Sequence, residues 1–162
     1  MQFRIRPATA DDAEEIARLG HGLNLSEGRP TGCLTPHAVR RDGFGPEPMF
    51  EVLVAERAGT VVGYALFYAA YETAYAARGL YMCDLYVQAD ARRQGIGRGL
   101  VAALAAEARA RGLTYLWWAA RPDNAEANRF YQRLGAGAHP ILAHALTFQA
   151  FEALADEGEG ES

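Results

Sequence analysis

Lysine is absent from this 162-residue chain, so all 16 basic residues are arginine. Without lysine there is no Schiff-base nucleophile and no Walker-type phosphate loop. Cysteine is nearly absent too. Cys33 and Cys83 lie far apart, with no ligand-like spacing to a histidine, which argues against a disulfide framework and a zinc site, and no metal is expected. Long hydrophobic runs are missing, since a stretch such as Val61 to Ala70 is too short to span a bilayer. Met1-Gln2-Phe3-Arg4-Ile5-Arg6 alternates like a strand and lacks the apolar core of a signal peptide. A cytoplasmic protein with no membrane partner is therefore expected. A net charge of −4 argues against broad nucleic-acid binding and is compatible with a cationic substrate.

What remains is an ordinary globular composition, half apolar, of a length that suits one domain. Phe3–Arg6 reads as a strand, and Thr9 or Asp11 caps a helix through Leu19. His21–Gly32, rich in Gly, Ser and Asn, reads as a loop. Thr35 with Pro36 starts a short helix ending near Asp42-Gly43. Phe50–Glu56 and Thr60–Tyr71 are β-rich runs joined by the hairpin signal Arg57-Ala58-Gly59, and Leu80–Val87 is a third. Gly97–Arg111 carries Leu100, Val101, Leu104 and Ala108 on one helical stripe. A strand over Tyr115–Ala119, a helix over Asn124–Leu134 closed by Gly135, and a last strand over Leu142–Phe151 complete the order. Residues 1–155 form one expected domain, a mixed sheet with helices on its faces. The acidic, Gly-rich tail 156–162 is expected to lack structure.

The most informative segment is Cys83-Asp84-Leu85-Tyr86-Val87 followed by Arg92-Arg93-Gln94-Gly95-Ile96-Gly97-Arg98-Gly99. A strand runs into a turn with two glycines, and a long helix begins at once. Helix-start amides point the same way and the helix dipole adds positive charge, while Arg92, Arg93 and Arg98 supply more. The pattern suits a pyrophosphate. A dinucleotide fingerprint would need a third glycine where Leu100 stands, and a nucleotide-triphosphate loop would need a lysine.

Arg92-x-x-Gly95-x-Gly97 resembles the acyl-CoA signature of the GNAT superfamily of N-acetyltransferases. The resemblance implies an α/β (α+β) domain with a mixed, mostly antiparallel central sheet flanked by helices, and acetyl-CoA as co-substrate. It implies that the amides of Arg92, Arg93, Gln94, Gly95, Ile96, Gly97 and Arg98 hold the pyrophosphate, and that Leu85, Tyr86 and Val87 line the pantetheine. Arg93 stands where many members have glycine. Asn124-x-x-Ala127-x-x-Phe130-Tyr131-x-x-x-Gly135 is similar to the family's second pattern, with Asn124, Ala127 and Tyr131 on one helix face. There the matching asparagine contacts CoA and the matching tyrosine stands by the thioester sulfur, so Tyr131 is the implied acid for the leaving thiolate. Read from its residues alone, Tyr131 is better taken as a core tyrosine beside Phe130.

The resemblance narrows to the spermidine/spermine and thialysine N-acetyltransferase branch, through Ile5-Arg6-Pro7-Ala8-Thr9-Ala10, Leu34-Thr35, Asp42-Gly43-Phe44-Gly45, Leu53-Val54-Ala55-Glu56 and Tyr81-x-x-Asp84-Leu85-Tyr86-Val87. That branch implies a small cationic amine as substrate and a homodimer. It puts Glu27 and Asp84 on acidic substrate positions, with Cys83 where a glutamate stands, Glu72 as a compensating carboxylate, and His144 in place of an aromatic residue. Cys83 by itself reads as a small buried apolar side chain, and Glu27 equally as a solvated loop carboxylate or a substrate contact. Asp84 is the implied base. Other amines, aminoglycoside-like or a peptide N-terminus, and a non-catalytic acyl-CoA sensor are the alternatives. Trp117 and Trp118 alternate on a strand, one of them toward the core.

Overall fold

The structure is a computed structural model that describes residues 2–159. Contacts divide the chain into two units, Met1–Ala119 and Ala120–Ser162.

In the first unit, the β-rich runs become β1 (Arg4–Pro7), β2 (Glu51–Arg57), β3 (Thr60–Glu72), β4 (Ala77–Val87) and β5 (Tyr115–Trp117), side by side in that order. Neighbours are antiparallel except β4 and β5, which run parallel. The β2–β3 hairpin turns on Ala58 and Gly59, both with positive φ (51° and 78°), the geometry whose twist matches the flanking strands. Two helices, α1 (Ala13–Ser26) and α2 (Pro36–Phe44), cover one face. There Ile16, Leu19, Leu23 and Val39 pack on Val52, Val54, Tyr64 and Leu66. The alternate strand positions Leu53, Ala55 and Phe67 are also buried and point to the other face, where α3 (Ile96–Ala110) buries Leu100 and Leu104. Gly99 lets α3 approach β1 closely, since a Cβ there would lie 2.9 Å from Ile5 Cδ1. Each buried Val, Leu, Ile and Phe side chain among these contributes roughly 1.5–3 kcal/mol of hydrophobic stabilisation.

The start of the chain is fastened by one buried acid. Arg6 donates through Nη1 and Nη2 to the two oxygens of Asp12, both at 2.8 Å, and through Nε to Glu56 at 3.1 Å. The Thr9 amide adds a further bond to Asp12 at 2.8 Å. The fork ties β1 to β2 and to the first turn of α1.

The first helix is longer than expected. It runs to Ser26, through half of the segment read as a loop. Leu23 continues the stripe of Ile16 and Leu19, and the glycines that suggested a loop mark close approaches instead. A Cβ at Gly20 would meet Leu34 Cδ2 at 2.6 Å, and one at Gly22 would meet the Tyr86 hydroxyl at 2.7 Å. The second helix begins as predicted, with Thr35 Oγ1 accepting from the Ala38 amide at 3.1 Å.

The second unit holds α4 (Ala125–Arg133), closed by Gly135 at φ 86°, and α5 (Phe148–Glu159). The expected strand over Leu142–Phe151 does not form: residues 137–147 lack regular structure and a helix follows. Phe148 and Phe151 are three apart, a helical spacing, in an Ala- and Glu-rich stretch that favours a helix. This helix covers the start of the acidic tail, and residues 160–162 lie outside the described residues. β5 is also shorter than the predicted Tyr115–Ala119. Among the described residues no helix is long and apolar enough to cross a membrane.

Candidate active site

Among the described residues, β4 has a strand on both sides only over Gly79–Tyr81, where β5 runs beside it. β5 ends at Trp117, so from Met82 to Val87 β4 keeps β3 on one side and an open edge on the other. The expected pantetheine residues Leu85, Tyr86 and Val87 all lie on this stretch. An extended ligand arm can pair with such an edge as an added strand.

Beyond Val87 the chain makes a 3-10 turn over Ala89–Ala91 and enters α3 at Ile96. The turn between them is left-handed at Arg93 (φ 61°) and Gly95 (φ 82°). Glycine adopts that conformation freely, whereas at Arg93 it costs on the order of 1 kcal/mol. No side chain caps α3, and the Gly99 amide bonds the Gly95 carbonyl at 2.9 Å. The amides of Ile96, Gly97 and Arg98 therefore stand in the first turn of a helix with the positive end of its dipole. Arg93 and Arg98 are exposed, with no ion pair among the described residues. This is a cradle a pyrophosphate fits.

Arg92 departs from its expected place among the free charges. Its Nε donates to the Val87 carbonyl at 2.9 Å, and its guanidinium lies 5.6 Å from the centre of the Tyr86 ring. It pins the turn to the end of β4. Gln94 is engaged at both ends, accepting from Arg57 Nη1 at 3.0 Å and donating to the Asp90 carbonyl at 3.3 Å. Arg57 thereby braces the cradle from the β2–β3 hairpin, a role its position in a turn signal did not reveal.

The β3–β4 ladder is interrupted beside Asp84. Leu66 pairs with Asp84 and Phe67 with Met82, leaving Cys83 as an extra residue. Such a bulge re-aims side chains. Cys83 is consequently exposed, which overturns the reading of a buried apolar residue. Local desolvation and then the Asp84 charge raise its thiol pKa, so it stays neutral and holds no cation. On the α1 face, Tyr64 Oη donates to Asp84 Oδ2 at 2.9 Å. Tyr64 is wholly buried, and burial together with the carboxylate pushes its pKa far above the ordinary phenol value. It is thus a permanent donor that orients Asp84, and it was missing from the residues singled out by sequence. A carboxylate held this way on the open strand can attract an ammonium and take up its proton.

Glu27 follows α1 directly and is ion-paired with Arg29. Glu72 is elsewhere. It pairs with Ala77 at the hairpin tip and its Oε1 accepts from the Ala74 amide at 3.0 Å. Six residues of β3 separate it from Leu66, the partner of Asp84, or roughly 20 Å. Within one chain, Glu72 does not join Asp84.

In the second unit, Asn124 caps α4, its Oδ1 accepting from the Ala127 amide at 3.1 Å. Its carbonyl oxygen serves the helix, which leaves the amide group for a ligand. Asn124, Ala127 and Tyr131 are all half-buried, the sidedness that the spacing predicts, and the Tyr131 ring packs on Phe130 with centroids 5.2 Å apart.

Residues 22–136 match the acetyltransferase (GNAT) family. Thialysine N-epsilon-acetyltransferase of Mus musculus is 34% identical over 151 residues, covering 82% of this chain and 83% of that protein. Spermidine/spermine N(1)-acetyltransferase-like protein 1 of Homo sapiens is 36% identical over 103 residues, 59% of this chain and 15% of that protein. Among solved structures, an integron cassette protein from V. cholerae superposes with a TM-score of 0.80 at 23% identity, covering 96% of this chain and 98% of that one, a likeness of fold. With a family match over most of its length and a relative this similar over four-fifths of it, the chain belongs to the GNAT family and is an acetyltransferase.

Proposed function

We propose that the enzyme moves the acetyl group of acetyl-CoA to a primary amine of a small cationic substrate, a diamine, polyamine or lysine-like amine. The observation that carries the reading is the open edge of β4, with Asp84 upon it, running straight into the glycine turn at the start of α3. Acetyl-CoA lies with its pyrophosphate on the amides of Arg93–Arg98 and its pantetheine along Leu85–Val87. Asp84 draws in the ammonium, which near neutral pH is protonated because its pKa is about 10.4. The carboxylate takes that proton, directly or through water. The freed nitrogen attacks the thioester carbonyl carbon, the C–N bond forms, the nitrogen sheds its second proton to water, and the oxyanion collapses with breakage of the C–S bond. Tyr131 gives its proton to the departing thiolate and regains one from solvent. Relatives named for thialysine and for spermidine/spermine support the cationic class.

Release of free CoA thiol, with spermidine, a short diamine and a thialysine-type amine as acceptors, tests this. Acetylation of at least one is expected, with Asp84→Asn raising the amine KM or lowering kcat while acetyl-CoA binds normally. Acetylation of only a neutral or anionic acceptor would overturn the cationic reading.

A further inference from the structure

One residue in the turn before α3 has a conformation that its own side chain opposes. Arg93 has φ 61°, a region that a non-glycine residue keeps only where its surroundings hold it. Holds of that kind lie on either side of it. Before it, Arg92 Nε donates to the Val87 carbonyl at 2.9 Å, and the Arg92 guanidinium lies 5.6 Å from the centre of the Tyr86 ring. After it, Gln94 Oε1 accepts from Arg57 Nη1 at 3.0 Å, and Gln94 Nε2 donates to the Asp90 carbonyl at 3.3 Å.

These holds differ in where they are rooted. The Arg92–Val87 and Gln94–Asp90 bonds close within the segment itself, so they can shift with the turn. Arg57 comes from elsewhere in the fold: it is the last residue of β2, paired in register with Thr60 of β3. Its guanidinium also lies 3.6 Å from the Asp90 carboxylate, so one planar fork reaches both Asp90 and Gln94. The Arg57 side chain is only 19% exposed, whereas Asp90 and Gln94 are open to solvent. An anchor set in the sheet therefore fixes a surface turn. Amides ordered before a ligand arrives lose less entropy when it binds.

We propose that Arg57 is a positioning residue for acetyl-CoA: by fixing Gln94 it keeps Arg93 left-handed, and so keeps the amides of Ile96, Gly97 and Arg98 in place for the pyrophosphate. This rests on the reading of the turn as the acetyl-CoA cradle and extends it to the β2–β3 hairpin. Arg57 acts through Gln94 and has no part in the transfer step. Its loss lets the turn relax at Arg93, so affinity falls, while acetyl-CoA once bound reacts at the usual rate.

The test is calorimetric titration of acetyl-CoA into wild type, Arg57→Gln, Arg57→Lys, Arg93→Gly and the double variant Arg57→Gln/Arg93→Gly. Arg57→Gln is expected to raise the acetyl-CoA Kd about three- to tenfold, less than loss of a buried charge-assisted bond would, because Gln94 is exposed. The kcat at saturating acetyl-CoA, the amine KM and the melting temperature should stay near wild type. Arg57→Lys keeps the charge and loses the fork, so it should bind no better than Arg57→Gln. Glycine adopts the left-handed conformation unaided, so on top of Arg93→Gly the Arg57→Gln change should weaken binding less than about twofold. An unchanged Kd in Arg57→Gln, full recovery in Arg57→Lys, or the same loss in both backgrounds would overturn the proposal. So would a melting temperature that falls in step with affinity, which would make Arg57 a structural residue. In those cases the cradle itself stands, whereas a wild type that binds no acetyl-CoA would remove the cradle and this proposal together.

Discussion

Replacing Tyr64 by phenylalanine removes one oxygen from a wholly buried ring, and the 2.9 Å bond to Asp84 goes with it. The ring still fills its place among Val54, Leu66 and α1, so the hydrophobic contribution survives. A hydrogen bond to a charged group contributes about 1.5–3 kcal/mol. Asp84 is half-buried, so water takes over part of the contact and the loss should fall near 1.5 kcal/mol. For a chain of this length that lowers the melting temperature by roughly 3–6 °C. The kinetic consequence is more telling. Without its donor, Asp84 is free to turn away from the open edge of β4, and kcat/KM for the amine should fall about tenfold, the equivalent of 1.4 kcal/mol. Acetyl-CoA affinity should not change, because neither Tyr64 nor Asp84 belongs to the glycine turn or to the stretch Leu85–Val87. Steady-state kinetics on Tyr64→Phe, Asp84→Asn and the double variant would separate the effects. If Tyr64 works through Asp84, its loss should matter little once Asp84→Asn is present. Additive losses, or wild-type kcat/KM with a lowered melting temperature, would make Tyr64 a packing residue only.

Tyr131→Phe is expected to lower kcat by about ten- to ten-thousandfold with little change in acetyl-CoA affinity, the range for a general acid; wild-type turnover would remove Tyr131 from the mechanism. Acid stability should depend on Asp12, whose carboxyl is held below its ordinary pKa of 3.8 chiefly by the Arg6 fork, with the Thr9 amide helping. A depressed folded-state pKa contributes stability that is present above the ordinary value and is lost as pH falls through the folded one. Melting temperatures should therefore drop from about pH 5 downward. Asp12→Asn should flatten that limb and destabilise the neutral-pH protein by about 3 kcal/mol, the low end for a broken buried pair, since Arg6 keeps Glu56. An unchanged acid limb in the variant would assign the sensitivity to other carboxylates.

The parts of this enzyme legible in its sequence are those in which local chemistry decides the outcome. A threonine before a proline starts α2, two residues with positive φ turn the β2–β3 hairpin, and glycines at a strand-to-helix junction announce the left-handed turn into α3. Where glycine had a long-range reason, local reading failed: Gly20 and Gly22 admit Leu34 and Tyr86 and lie inside a helix. The expected last strand failed because Phe148 and Phe151 lie in an Ala- and Glu-rich stretch that forms a helix, while residues 137–147 take no regular structure. The candidate site divides along the same line. Asp84 was visible because a carboxylate on a central strand demands a partner, yet the partner was not. Whether Tyr64 reaches Asp84 depends on the register of β3 against β4, and that register shifts at the bulge that pushes Cys83 outward. A bulge leaves no mark in composition or periodicity. Arg57 was hidden for a related reason, since a charge in a turn reads as solvated until the fold shows which side chains it faces. The contacts of these side chains thus come from the opposing strand and from neighbouring turns, which no local pattern records.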